Sequence, residues 1–246
     1  MVIDKAEKLT QELIQIRPNW FVEDKVGDPN ESIIHNGVPM TVSAIPVETW
    51  AAEDVNAWSR VHPRLEDCDG CIIDLGCLGW NKDFEDKTSD NWSGYFLNEK
   101  RVIGVDPQEN PNDKADFFKG FISDFSGKAD LNLKVNSAHK ASIIKSPTGA
   151  YKVLTWKDFK RQFEIDSVAI LKINIEGAEW KLIESFDSED FKSIDQICIS
   201  FHDFLPHFND QKENTELCIN KIIENGYHMI DLKKYGWRLF IKDDEL

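Results

Sequence analysis

Two apolar runs in this chain end in an acid at a spacing suited to holding a nucleoside. The first, Cys71-Ile-Ile-Asp-Leu-Gly-Cys-Leu-Gly-Trp80, passes through Asp74 into a turn with Gly76 and Gly79. The second, Arg101-Val-Ile-Gly-Val-Asp-Pro107, ends in Asp106 after a polar stretch about one helix long. This is the front end of a nucleotide-binding βαβ unit. The glycines let backbone amides approach a ligand, and the second acid sits where a ribose offers two hydroxyls. Gly76 and Gly79 give G-x-x-G with no earlier glycine, and no phosphate-cradling lysine follows. That departs from the dinucleotide fingerprint and disfavours an NAD(P) oxidoreductase. An acid before the turn and no demand for a pyrophosphate suit S-adenosylmethionine, an adenosyl ligand with an amino-acid tail.

The second chemical signal is Ile170-Leu-Lys-Ile-Asn-Ile-Glu-Gly-Ala-Glu-Trp180. Leu171, Ile173 and Ile175 alternate with Lys172, Asn174 and Glu176, which puts the three polar residues on one face of a strand. They run toward the strand's C-terminal end, the edge where open α/β sheets bind ligands. Gly177 permits a sharp strand-to-helix turn. Glu179 reads as an ordinary first-turn helix acid favoured by the macrodipole. Glu176, an acid just before a turn glycine at the ligand edge, has no core role to play. A further run, Gln196-Ile-Cys-Ile-Ser-Phe-His202, brings His202 to the same edge.

Strands must present these residues, and the sequence supplies them in alternation with polar or helical stretches, as a parallel sheet requires. Strands are expected at 71–75, 101–106, 116–122, 169–175 and 196–201. A β-hairpin excursion is expected between Asp124 and Ala150. A helix over Asn214–Glu224 carries Leu217, Cys218, Ile222 and Ile223 as its stripe and stops at Gly226. His228–Leu232 and Trp237–Lys242 read as a terminal hairpin. Upstream, helices are predicted over 4–16 and 48–61, with the proline- and glycine-rich 17–46 between them read as loop. Residues 1–69 thus form a helical and loop cap, and residues 70–246 the core.

Asp74-Leu-Gly-Cys-Leu-Gly79, Val102-Ile-Gly-Val-Asp-Pro107, Leu171-Lys-Ile-Asn-Ile-Glu-Gly-Ala-Glu179 and Ile199-Ser-Phe-His202 occur in this order. Together they resemble the FkbM-type S-adenosylmethionine-dependent methyltransferases over roughly 70–242. The resemblance implies a Rossmann-like class I methyltransferase fold: α/β, with a mainly parallel seven-stranded sheet closed by a C-terminal antiparallel hairpin. It implies an O-methyltransferase acting on a hydroxyl of a saccharide or a glycosylated precursor. A non-sugar natural product, lipid or peptide hydroxyl is the alternative acceptor, and a non-catalytic adenosyl-binding scaffold is the alternative from another class. The family usually has Asp where this chain has Asn174, and the first loop has Cys77-Leu78 in place of a run of small residues. In related catechol-type methyltransferases an Asp at that strand end binds a divalent cation, and neutral Asn174 adds no charge there. A divalent cation is therefore left open.

On these grounds Asp74, Gly76, Cys77 and Gly79 are expected around the methionine part of the cofactor and Asp106 at the ribose. Phe121 and Ile122 are expected at the adenine, or in the core, and Asn174 at the methionine end or the acceptor. Methyl transfer needs an aligned acceptor oxygen and a proton sink. His202, with an ordinary pKa of about 6.5, is expected as the base. Glu176 would orient it or the substrate, Lys172 would assist, and Asp203 is an alternative base or metal ligand. Trp50 and Trp80 are candidates to stack on a sugar, although a single tryptophan is more often a core or interface anchor.

Composition narrows the partners. The formal net charge is -15, from 29 basic and 44 acidic residues, which argues against nucleic acid and anionic membranes. No segment reaches the roughly 20 apolar residues of a membrane span. The opening Met1–Lys8 breaks into charge at once, so a cytoplasmic protein without a signal peptide is expected. Cys68-Asp-Gly-Cys71 has zinc or redox spacing, but no second ligand pair follows and Cys71 begins a strand. The five cysteines read as small buried apolar residues.

Overall fold

In a computed structural model of the chain, the backbone is described for residues 33–35, 38–40, 68–77, 93, 97, 100–107, 114–133, 141–231 and 236–242. The predicted helices at 4–16 and 48–61, together with Gly79, Trp50 and Trp80, lie outside the described residues. The fold is α/β, built on a mixed sheet with a parallel centre.

The centre is made by parallel strands, the inner ones buried on both faces between two layers. They are β3 (Cys71–Leu75), β4 (Val102–Asp106), β5 (Asp116–Ser123), β8 (Tyr151–Thr155), β9 (Val168–Ile173) and β10 (Ile194–Ser200). β3, β4 and β9 are buried along their whole lengths. The described strands β1 (Ile33–His35), β2 (Val38–Met40), β6 (Gly127–Leu133), β7 (Ala141–Lys145), β11 (Tyr227–Asp231) and β12 (Trp237–Lys242) complete the sheet. The order is β2-β1-β11-β12-β10-β9-β3-β4-β5-β8-β6-β7.

From β3 the chain moves outward through β4 to β5, then returns to lay β9 against the other side of β3 and β10 beyond it. The strand order therefore reverses between β3 and β9. Such a switch point opens a crevice at the carboxyl ends of the strands. The terminal hairpin forms as expected, with β12 inserted antiparallel between β10 and β11.

The expected strands all form, within two residues at each end. Twelve strands rather than seven join the sheet among the described residues. The additions have a physical reason. The β6–β7 hairpin does not stand off the sheet, because β6 pairs with β8 and β8 joins β5 in parallel. At the other edge β1, inside the stretch read as loop, pairs with β11.

Helices α1 (Trp156–Gln162), α2 (Glu179–Ser185), α3 (Ser188–Lys192) and α4 (Lys212–Glu224) contribute to the core. Ile73, Leu75, Ile103, Val105, Leu171, Ile173, Ile197 and Ile199 share one cluster with Trp156, Phe159, Trp180, Leu182, Cys218 and Ile222 of the helices. Each such buried side chain contributes about 1.5–3 kcal/mol. The α4 stripe is narrower than expected. Cys218 and Ile222 are buried but Leu217 and Ile223 are exposed, because 100° per residue carries those two off the inward face.

The alternate residues of the central strands have a different character. Asp74, Lys172, Gln196 and Ser200 are buried polar groups, and none belongs to the apolar cluster.

Candidate functional site

Register places the ligand edge. Leu75 is level with Val105 and Ile173, and Ile173 with Ile199. The next residues, Gly76, Asp106, Asn174 and Ser200, therefore come to the rim together, across the switch point. Asp106 ends β4 there and is 7% exposed.

Gly76 closes the first turn at φ +81°, and a Cβ there would lie 1.9 Å from the Asn174 carbonyl oxygen. Its N–H donates to the Val105 carbonyl at 2.9 Å, while the Asn174 N–H donates to the Leu75 carbonyl at 2.9 Å. The glycine is required because the exit of β9 passes against it. Its amide is consumed inside the sheet and is not offered to a ligand. Cys77 is buried, and burial pushes its thiol pKa upward. Burial likewise raises Cys71 to about 11 and Cys218 to about 12, so none of these three is a reactive thiolate at neutral pH.

Asp74 and Lys172 face each other across β3 and β9. Both side chains are fully buried, Lys172 Nζ donates to Asp74 Oδ1 at 2.7 Å, and Ser93 Oγ donates to Asp74 Oδ2 at 2.5 Å. Asp74, expected on the cofactor, and Lys172, expected in catalysis, are brought together as one buried ion pair two residues beneath the rim. Phe121 and Ile122 lie near the end of β5 alongside β8, two and three residues past Lys119, which is level with Asp106. Ile122 belongs to the core cluster, so the core alternative holds for it. Phe121 packs edge-to-face on Tyr151 at 5.4 Å between ring centroids.

The exit of β9 and the exit of β10 meet in a three-residue array. Glu179, in the first turn of α2, reaches backward over the turn. Its carboxylate accepts the N–H of Ile175 at 3.1 Å and that of Gly177 at 2.9 Å. It also accepts Nδ1–H of His202 at 2.8 Å. His202 opens a 3₁₀ turn after β10 and is 4% exposed. Its Nε2 lies 3.4 Å from Glu176 Oε2. The turn itself is forced: Glu176 has φ +54° and Gly177 +100°, and a Cβ on Gly177 would lie 2.3 Å from the Phe208 ring.

Burial alone would push the His202 pKa down, but the hydrogen bonds and charges of Glu176 and Glu179 outweigh it and hold it at about 10. Between two carboxylates the ring is favoured as an imidazolium, a form with no lone pair to take a proton, which bears against the role of base expected for it. Glu179 is more than a helix-terminal acid, since it binds the loop and the histidine together. The sequence held one signal for this: an acid two residues after a turn glycine can reach back to the amides on either side of that turn. Among the described residues, no group of three or more His, Cys, Asp or Glu side chains is arranged to hold a metal ion.

No family model, curated protein or solved structure matches this chain.

Proposed function

We propose that the chain is an S-adenosylmethionine-dependent O-methyltransferase acting on a hydroxyl, with a saccharide or glycosylated precursor as the favoured acceptor. The observation that carries this reading is the switch point between β3 and β9. There the Gly76 turn, Asp106 and Asn174 come level at the carboxyl edge of a parallel sheet closed by an antiparallel hairpin. Class I methyltransferases end in such a hairpin, so the topology supports the fold that the sequence motifs imply.

The residues fit the cofactor. A carboxylate at the end of β4 suits two ribose hydroxyls, and Gly76 leaves no side chain between that edge and β9. Nothing described near the turn offers a cation for a pyrophosphate, because Lys172 is committed to Asp74. When bound, the cofactor supplies an electrophilic methyl group. The chain must bind it through Asp106 and the first turn and orient an acceptor oxygen over the β9 and β10 exits.

Calorimetric titration with S-adenosylhomocysteine and, separately, NAD tests the reading. Selective binding of the adenosyl ligand, followed by methyl transfer to sugar hydroxyls, is the expected outcome. Binding of NAD without S-adenosylhomocysteine refutes it. Tight adenosyl binding with transfer only to lipid or peptide hydroxyls refutes the saccharide part alone.

A further inference from the structure

We propose that Glu176, not His202, is the side chain that meets the acceptor hydroxyl and takes its proton, and that His202 is a positioning residue holding the Glu176 carboxylate at the rim. The inference rests on the methyltransferase reading and deepens it.

The backbone is the first argument. Glu176 lies in the left-handed region, which a residue without Asn- or Asp-like local bonding seldom enters. Such a conformation is strained and persists only when the surroundings over-determine it. They do so here. Glu179 accepts the amides of Ile175 and Gly177, the residues on either side of Glu176. The loop is pinned at both neighbours, and residue 176 is the one thrust outward.

Accessibility is the second. The Glu179 side chain is fully buried and already takes two amides and an imidazole N–H. Its burial keeps it from a substrate. His202 points both ring nitrogens at carboxylates. The Glu176 side chain is 28% exposed against 5% for His202 and 0% for Glu179. Glu176 is thus the member of the array that a ligand at the edge can touch. Among the described residues the charged groups that act on the His202 ring are Glu176 and Glu179; Asp203 follows it in sequence, and the Phe204 ring packs against the imidazole at 5.6 Å.

The chemistry closes without a stronger base. The acceptor oxygen forms a bond to the methyl carbon as the carbon–sulfur bond breaks, and sulfur leaves with that electron pair as a neutral thioether. The hydroxyl proton becomes strongly acidic as the new bond forms, so a carboxylate suffices to receive it. The positive charge of the sulfonium and the negative charge of Glu176 disappear together. The imidazolium keeps its proton throughout and fixes the carboxylate in line.

Long-range proton–nitrogen NMR of the intact chain with labelled histidine tests this, with H202Q assigning the signal. His202 should carry protons on both ring nitrogens at neutral pH, and E176Q should move its titration downward. In parallel, E176Q should bind S-adenosylhomocysteine within a factor of about two of the parent. It should transfer methyl from S-adenosylmethionine to methyl glycosides at least roughly a hundredfold more slowly. A neutral His202 ring at neutral pH, or an E176Q protein that transfers as fast as the parent, overturns the inference while leaving the methyltransferase reading in place. Absence of S-adenosylhomocysteine binding in the parent overturns that reading and the acceptor role with it.

Discussion

Replacing Lys172 with Met separates a structural lysine from a catalytic one. Met keeps the length and the apolar stem but removes the ammonium from a pair in which both side chains are fully buried, 2.7 Å apart. Asp74 is then left as a charge in the sheet with its counter-charge gone. Breaking a buried pair from one side costs about 3–5 kcal/mol, far more than the pair's own net contribution, because the surviving charge is uncompensated. For a domain of this size each kcal/mol moves the melting point by roughly 2–4 °C, so a fall of roughly 6–20 °C is expected. The double change D74N/K172M removes both charges and leaves an amide oxygen for the Ser93 hydroxyl. It should recover on the order of 2 kcal/mol relative to K172M alone.

Urea unfolding followed by circular dichroism, with the midpoints compared at constant slope, is the assay. A K172M protein within about 1 kcal/mol of the parent, or a double variant as costly as the two singles summed, refutes the argument. A K172M protein that is stable and binds S-adenosylhomocysteine yet transfers no methyl group would return Lys172 to catalysis. The pair has a further consequence for folding. Asp74 and Lys172 are register partners at the switch point, and a slip of either strand by one residue would turn its charge into the apolar face and leave the other charge without its partner.

Four other outcomes are expected. D106A should weaken S-adenosylhomocysteine by at least roughly a hundredfold, since two hydrogen bonds to a charged group contribute about 1.5–3 kcal/mol each; unchanged affinity by calorimetry removes the ribose assignment. G76A should lose both fold and binding, because φ +81° and a 1.9 Å approach to a backbone oxygen leave no room for a methyl group; a soluble G76A protein of parental melting point contradicts the close approach. The His202 pKa is raised from 6.5 to about 10, so its stabilisation is complete below pH 6.5 and is lost as pH rises through about 10; melting curves across that range should show the parent's advantage over H202Q shrinking, and a constant difference would refute the coupling. D187A should cost about 1 kcal/mol, because Asp187 and Asp190 form a reciprocal capping box at α3; an unchanged urea midpoint would deny that box any energetic weight.

Much of this architecture was written locally, and the limits were local too. Runs such as Cys71–Leu75 and Val168–Ile173 are almost wholly apolar, broken by one charge each, and that pattern places them centrally in a parallel sheet. The terminal hairpin was legible from two alternating runs around a glycine turn. β1 and β2 were not, because three-residue strands containing His35 and Pro39 carry no periodic signal and are defined by the partner they pair with. β8 was missed for a related reason: Tyr151–Thr155 joins a parallel strand, β5, about 30 residues earlier in the sequence, and nothing short-range encodes that pairing.

The site divides along the same line. Residue types and edge position picked out Asp106, Glu176 and His202, because an acid or an imidazole at a strand exit has no apolar role to play. Charge state was beyond the reach of spacing. Whether His202 is a base or an imidazolium depends on which carboxylates the folded turns bring to its two nitrogens, and one of them, Glu179, read as a helix-terminal acid. Lys172 went the same way, since alternation gave its face correctly but could not reveal that Asp74, 98 positions away, would meet it in register. Once both cations are committed to carboxylates, the proton chemistry of this edge falls to the one carboxylate of the array that a ligand can reach, on a backbone bent into the left-handed region to present it.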